Sequence, residues 1–344
     1  MTSCIHETGN LTSEQGGDGA ETQTAEPRSE PDRGTPRREG FGRASDADGR
    51  NFGLGYGAAL GSAAFFALGG SIAKSIFDLG VPPRVLAEWR VLFAFIAFTA
   101  IVAAVRPRDL RIARNDIGWF VAFGVFGMGA VQWLYYEAIQ RIPIAVALVV
   151  EFTAVILVLL YFRLRGRKVG PALWYAGVLS LAGCFFASGA YDATLRAVNT
   201  EGVLISAVDA VLFTSYFVIG ERLALRYSAW TLAVYGFAFA LLAWQFIQPV
   251  WTLPWTSTDG DVWLRVAGIV VLAAIVPFTL GFIALRNLPG ARVSIVATSE
   301  PFIAAVIAWA ALGQSLQPPQ IVGGALVLAG ILIAQTHRPE AGSV

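Results

Sequence analysis

Apolar runs about 20 residues long, divided by short polar turns, follow one another from Phe52 almost to the end of the chain. Ten can be marked, near 54–76, 84–105, 117–139, 143–162, 170–190, 202–220, 228–250, 262–284, 289–311 and 317–335. A helix rises roughly 1.5 Å per residue, so about 20 apolar residues cover a hydrocarbon core about 30 Å thick. In lipid each backbone N–H and C=O must find its partner within the segment, so the runs predict helices. The expected fold class is an all-α membrane protein with ten transmembrane helices.

The pattern repeats at a constant offset of 146 residues. Leu86-Ala87 and Phe93-Ala94 return as Leu232-Ala233 and Phe239-Ala240. Leu134, Ala138, Pro143 and Ala145 return as Leu280, Ala284, Pro289 and Ala291. Two five-helix halves follow, residues 53–190 and 191–336. Five crossings per half turn the second half upside down, the inverted repeat from which many secondary transporters build two gates around one site.

Loop charge sets the expected orientation. Arg106, Arg108, Arg111, Arg114, Arg163, Arg165, Arg167, Lys168, Arg222, Arg226, Arg286, Arg292 and Arg338 fall on one side, thirteen in all. The other side has four: Arg84, Arg141, Arg196 and Arg265. Basic loops stay cytoplasmic, so both termini are expected there. Residues 1–52, with 10 acidic and 6 basic side chains and few large apolar ones, read as a disordered cytoplasmic tail. A start codon assigned too early would explain that segment as well. Residues 337–344 read as a short cytoplasmic C-terminal tail.

Composition narrows the class further. The chain is 56% hydrophobic and 14% charged, with a mean hydropathy of +0.60; soluble domains carry roughly 25% charge. A net charge of +1 offers nothing for nucleic acid. Cys4 and Cys184, with His6 and His337, make neither a disulfide framework nor a metal set, so no metal or cofactor is expected. The chain has no G-x-x-x-x-G-K-[ST] motif, so any pumping must be secondary.

Candidate chemistry gathers where charge enters the apolar runs. Pro143 opens the fourth run and Glu151 lies eight residues on, near mid-membrane. A charge at that depth costs roughly 2.5–3.5 kcal/mol on the insertion scale, so function normally retains it. Glu300 holds a comparable place in the second half. Both can hold a substrate amine or a proton; the plainer reading is a structural glutamate bonded to a neighbouring helix. Asp209 and Arg90 are further candidates, for binding in the cavity or for pairing with each other across helices. Glu88 points away from Arg90 and can reach Arg84 at i,i+4. Gln132 and Tyr136 share one face and can gate a cavity mouth, although an interfacial aromatic belt explains the tyrosine equally. Pro277 and Pro301 remove helical donors and so free carbonyls for a cavity, or merely kink helices for packing. Gly57 and Gly61 form a G-x-x-x-G that predicts close helix packing, as do Gly124, Gly127 and Gly129.

The segment Ala138-Ile-Gln-Arg-Ile-Pro143, continued by Glu151-Phe-Thr153, and the later Ser299-Glu-Pro-Phe302 are similar to motifs of the drug/metabolite transporter superfamily. The pattern resembles proteins with two EamA-type repeats, nearest the threonine/homoserine exporter branch. Relatives often carry proline four residues after the first-half glutamate; here Val155 stands there, which removes the usual cause of a kink. The resemblance implies a secondary transporter of the inner or plasma membrane, exporting amino acids or similar metabolites, with proton coupling and a homodimer left open. A multidrug exporter of the same fold is the alternative. An intramembrane enzyme is more remote, because no catalytic set is present.

Overall fold

An apolar run enters lipid only with its backbone paired internally, and every regular element among the described residues is helical. The computed structural model describes residues 50–192, 199–255, 259–313 and 315–336. Most of the N-terminal tail, with Cys4 and His6, lies outside them, as do Arg196 and the C-terminal tail with His337 and Arg338.

The helices are α1 (Phe52–Phe77), α2 (Pro83–Val105), α3 (Arg114–Ile139), α4 (Ile144–Leu164) and α5 (Pro171–Ala187) in the first half. The second half has α6 (Thr200–Ala224), α7 (Ala229–Trp244), α8 (Gly260–Asn287), α9 (Gly290–Ala310) and α10 (Pro318–Thr336). Eight are long and apolar enough to cross a membrane, while α5 and α7, of 17 and 16 residues, are shorter. Pro83 and Pro171 open their helices where a missing N–H costs nothing. The seventh run was expected to continue to residue 250. It stops at Trp244 because Gln245 turns its side-chain oxygen to the Val250 N–H at 3.1 Å, just past Pro249.

The repeat is built into local geometry. α2 and α7 begin 146 residues apart, and so do α4 and α9. α3 widens into π-helical turns over Phe123–Ala130, and α8 does so over Val270–Ile275, nearly the equivalent stretch. The fourth helix of each half breaks at equivalent places, Phe152-Thr153 and Thr298-Ser299. Packing also exchanges across the halves. α1 lies against the last part of α8 and α6 against the last part of α3, while α2 meets α7 and α5 meets α10.

Small residues permit these approaches. A Cβ on Gly124 would sit 2.7 Å from the Gly236 carbonyl oxygen, and one on Gly127 would sit 3.2 Å from the Tyr216 backbone. The expectation for Gly57 and Gly61 needs correcting. Gly57 faces open space and Gly61 meets only a Leu280 methyl, at 3.1 Å. The close approaches of α1 lie at Gly55, where a Cβ would reach Asn287 Cβ at 3.0 Å, and at Gly69, where one would lie 3.2 Å from the Ala273 Cα. About half a turn of rotation separates the two faces, since Gly55 and Gly57 are two residues apart, and G-x-x-x-G spacing cannot specify which face packs.

Ion pairs tie the halves together at both ends of the bundle. At the Arg-rich end, Arg226 Nη1 donates to Asp116 at 3.1 Å and the Tyr227 hydroxyl donates to it at 2.8 Å. Glu221 accepts from Arg167 at 2.9 Å and from the Gly290 N–H at 2.8 Å. At the opposite end Glu137 pairs with Arg84 and with Arg141, and Arg141 reaches Glu201 at 3.4 Å. Arg84 was expected to meet Glu88. Glu88 is instead fully buried against α7, where Gln245 Nε2 donates to it at 2.8 Å.

Candidate functional site

Breaking a helix at mid-length exposes backbone ends and side chains that a continuous helix would cover. In α4, the Thr153 hydroxyl donates to the Val150 carbonyl at 2.6 Å, a local bond that competes with the helical ladder. In α9, Thr298 and Ser299 donate in the same way to Ile295 and Val296, both at 2.7 Å. Thus α4 breaks without the proline that Val155 replaces. In α9 the next segment starts at Glu300, and Pro301 sits in its first turn, where it lacks no needed donor.

The two carboxylates flank these breaks from opposite sides. Glu151 is the last residue before the first break, and Glu300 is the first residue after the second. They are therefore not repeat mates: 146 residues from Glu151 is Ala297, and Glu300 corresponds to Ala154. Glu151 sits at the C-terminal end of one half-helix and Glu300 at the N-terminal end of another, so the helix dipoles beside them are opposite in sign.

Between the breaks lies a cavity of about 390 Å³, inside the range of roughly 300–1,000 Å³ common for small-molecule sites. Its lining includes Arg90, Gln132, Tyr136, Glu151, Glu300 and Pro301. Arg90 is seven residues into α2, Gln132 seven before the end of α3 and Glu151 seven into α4. All three lie about 10 Å from the same end of the bundle, given roughly 1.5 Å per residue. The lining continues toward that end through Tyr136, Ile139, Ile144 and Phe77. Aromatic rings floor it: Phe213 stacks on Tyr216 at 5.9 Å, and Phe66 meets Phe278 edge-on at 5.3 Å. Phe123 stacks on Tyr216 at 5.7 Å, continuing the aromatic layer beyond the cavity.

Electrostatically the site is crowded. Glu151 and Glu300 lie close enough to feel each other's charge, and Arg90 acts on Glu300. Arg90 Nε and Gln132 Oε1 are buried without hydrogen-bond partners.

Two expected residues stand outside the lining. Asp209 is fully buried on α6, within electrostatic reach of Glu151, and neither of its oxygens has a hydrogen-bond partner. One turn away the Ser206 hydroxyl donates to the Ala147 carbonyl at 3.0 Å, which packs α6 directly on α4. Among the described residues Asp209 forms no pair with Arg90. Pro277 is also buried; its own carbonyl accepts from the Ser62 hydroxyl at 2.8 Å, joining α8 to α1. Sequence reading missed Tyr135, Phe213, Tyr216 and Phe278 as lining residues. Their spacing on apolar helices is that of ordinary core aromatics. The available signal was the aromatic cluster Phe213, Tyr216 and Phe217 in the sixth run.

A bundle of apolar helices, repeated in two halves around an aromatic-lined cavity that holds Glu151, Glu300 and Arg90, has the build of a membrane transporter. The sequence model of the EamA-like transporter family matches residues 53–189 and again 200–336. The chain belongs to that family, within the drug/metabolite transporter superfamily. It is 27% identical over 278 residues to the threonine/homoserine exporter RhtA of Escherichia coli (strain K12), covering 79% of this chain and 88% of that one. An uncharacterized transporter of Archaeoglobus fulgidus is 26% identical over 267 residues, covering 77% and 91% respectively. One solved structure shares the fold, with a TM-score of 0.67 and 21% identity, covering 83% of this chain and 96% of that one.

Proposed function

We propose that this protein is a secondary exporter of amino acids or similar small amine-bearing metabolites, driven by exchange against protons. The observation that carries the reading is Glu151, set at a half-helix C-terminus inside the cavity. The carboxylate and the negative end of the helix dipole both favour a cation, so an ammonium group and a proton compete for one place. That competition is the coupling an antiporter needs. Glu300 supplies a second carboxylate across the break in α9.

In this reading all ten helical segments cross the inner or plasma membrane as two inverted repeats, 53–190 and 191–336, with both termini cytoplasmic. The shorter α5 and α7 are packed along α10 and α2, and modest bilayer thinning accommodates their length. The cavity then opens outward, and the cytoplasmic side is closed by the aromatic floor and the Glu221 pairs. Labelled threonine provides the test. Everted vesicles holding the protein should accumulate it when an inside-acid gradient is imposed, and lose that accumulation with a protonophore. The lining by Phe66, Phe213 and Tyr216 also suits a bulky apolar cation, the multidrug reading. Gradient-driven movement of ethidium but not of threonine would establish that reading instead.

The topology carries its own expectation. A reporter active only outside the cytoplasm should be silent after Arg114, Lys168 or Arg226 and active near Arg196 or Asp259. The thirteen-to-four bias of basic residues motivates it. The reverse pattern would overturn both the orientation and the outward-opening cavity.

A further inference from the structure

A guanidinium inside a membrane is costly to keep, and an unpaired one more so. Arg90 lines the cavity, yet among the described residues it makes no hydrogen bond and no ion pair. Glu300 is near enough to feel its charge but is not bonded to it. Glu88, the other acidic residue close in sequence, is turned to Gln245 just past the end of α7. Glu137, at the same end of the bundle, is already held by Arg84 and Arg141. Arg90 thus lines the cavity with no protein acceptor bonded to its guanidinium. Gln132, at the same depth on α3, adds an amide whose oxygen is buried and unpartnered, and whose NH₂ is a further donor.

An arginine fork matches one ligand chemistry above others, a planar carboxylate held by two parallel N–H···O bonds. Glu151 lies at the same depth, across the cavity mouth from α2, with its preference for a cation. We infer that Arg90, assisted by Gln132, is the carboxylate-binding point of the site, so that the cavity selects zwitterionic amino acids over plain amines. The inference rests on the ammonium reading of Glu151 and adds the second anchor that fixes substrate class and orientation. A zwitterion also leaves the cavity's net charge unchanged on binding, which a plain amine does not.

Three probes separate the two anchors: L-threonine, 1-aminopropan-2-ol, which lacks the carboxylate, and N-acetyl-L-threonine, which lacks the ammonium. Binding is read by competition against labelled 1-aminopropan-2-ol on the purified full-length protein in lipid nanodiscs. In the wild type, threonine should compete on the order of tenfold to a hundredfold more tightly than the unlabelled amine, because a site built for a polar group penalises its absence. In Arg90→Gln the two should compete to within about twofold of each other, since the removed donors are those of the fork. Arg90→Lys keeps the charge, guards against loss of the folded protein and should show an intermediate gap. An amine that matches threonine in the wild type, or a gap that survives in both variants, overturns the inference while leaving the ammonium reading intact. N-acetylthreonine competing as well as threonine, or no binding of either amine-bearing probe, overturns the ammonium reading and this inference with it.

Discussion

Glu151→Gln is expected to reach the membrane at normal abundance and to lose gradient-driven export almost entirely. The substitution keeps shape and an acceptor oxygen, and it removes a charge whose burial costs roughly 2.5–3.5 kcal/mol on the insertion scale. Folding should therefore be unharmed. What goes is the ionic partner of the substrate ammonium and the group that exchanges it for a proton. Truncating one partner of a buried charge pair costs about 2–5 kcal/mol, or roughly thirtyfold or more in affinity. The loss of coupling should take driven flux to background even where substrate still binds. Glu300→Gln should be milder, under about tenfold in flux, because its place at a half-helix N-terminus favours anions and makes it the weaker cation site. Flux driven by a proton gradient in vesicles matched for protein amount reads both variants. Wild-type flux with unchanged pH dependence in Glu151→Gln would sink the mechanism, and Asp209, buried behind α4, would become the carboxylate to test next.

What could be read from the chain, and what could not, follows from which interactions are local. Helix positions were legible because burial in lipid writes itself as unbroken apolar runs, and the repeat because Pro143 and Pro289 punctuate equivalent places. The break in α4 was harder. Its visible cue, a proline, is absent at Val155, while its actual cause is the Thr153 hydroxyl bonding back to Val150. Thr153 and Ser299 are repeat mates, so the offset that revealed the halves also contained the break. Partner choice across helices was not legible. Arg84 had an acidic neighbour one turn away in Glu88 and another in Glu137, and only rotation of α2 decides between them. Asp209 shows the same limit: its polarity marks a place of consequence, yet sequence does not say whether it faces the cavity or the next helix. Cavity aromatics such as Tyr216 were hidden because lining and core positions use the same residues.

Gly323→Val is expected to cause the largest loss of stability of any single-site change away from the charged groups. α5 and α10 run together with backbone nearly touching backbone. A Cβ on Gly323 would lie 2.7 Å from the Gly183 carbonyl oxygen and 2.9 Å from the Phe186 carbonyl carbon. Gly183 and Gly330 are equally pressed, at 2.6 Å from the Gly323 carbonyl oxygen and 2.8 Å from that of Ala176. These neighbours are main-chain atoms of a helix, which cannot swing aside as a side chain can. Overpacking a close interface costs about 1–3 kcal/mol when the surroundings can still relax, and here they have little room. In lipid no hydrophobic drive returns the separated helices, since packing itself holds them. The damage should spread, because α5 lies against α4 and α10 against α9, the two broken helices that carry Glu151 and Glu300. Melting of the detergent-purified protein should drop by several degrees or the protein should fail to accumulate, and transport should fall with it. Gly57→Val is the control. It has nothing within 4 Å of the added carbon and should melt like the wild type. Equal melting temperatures for Gly323→Val and Gly57→Val would mean that the α5–α10 contact does not hold the scaffold together.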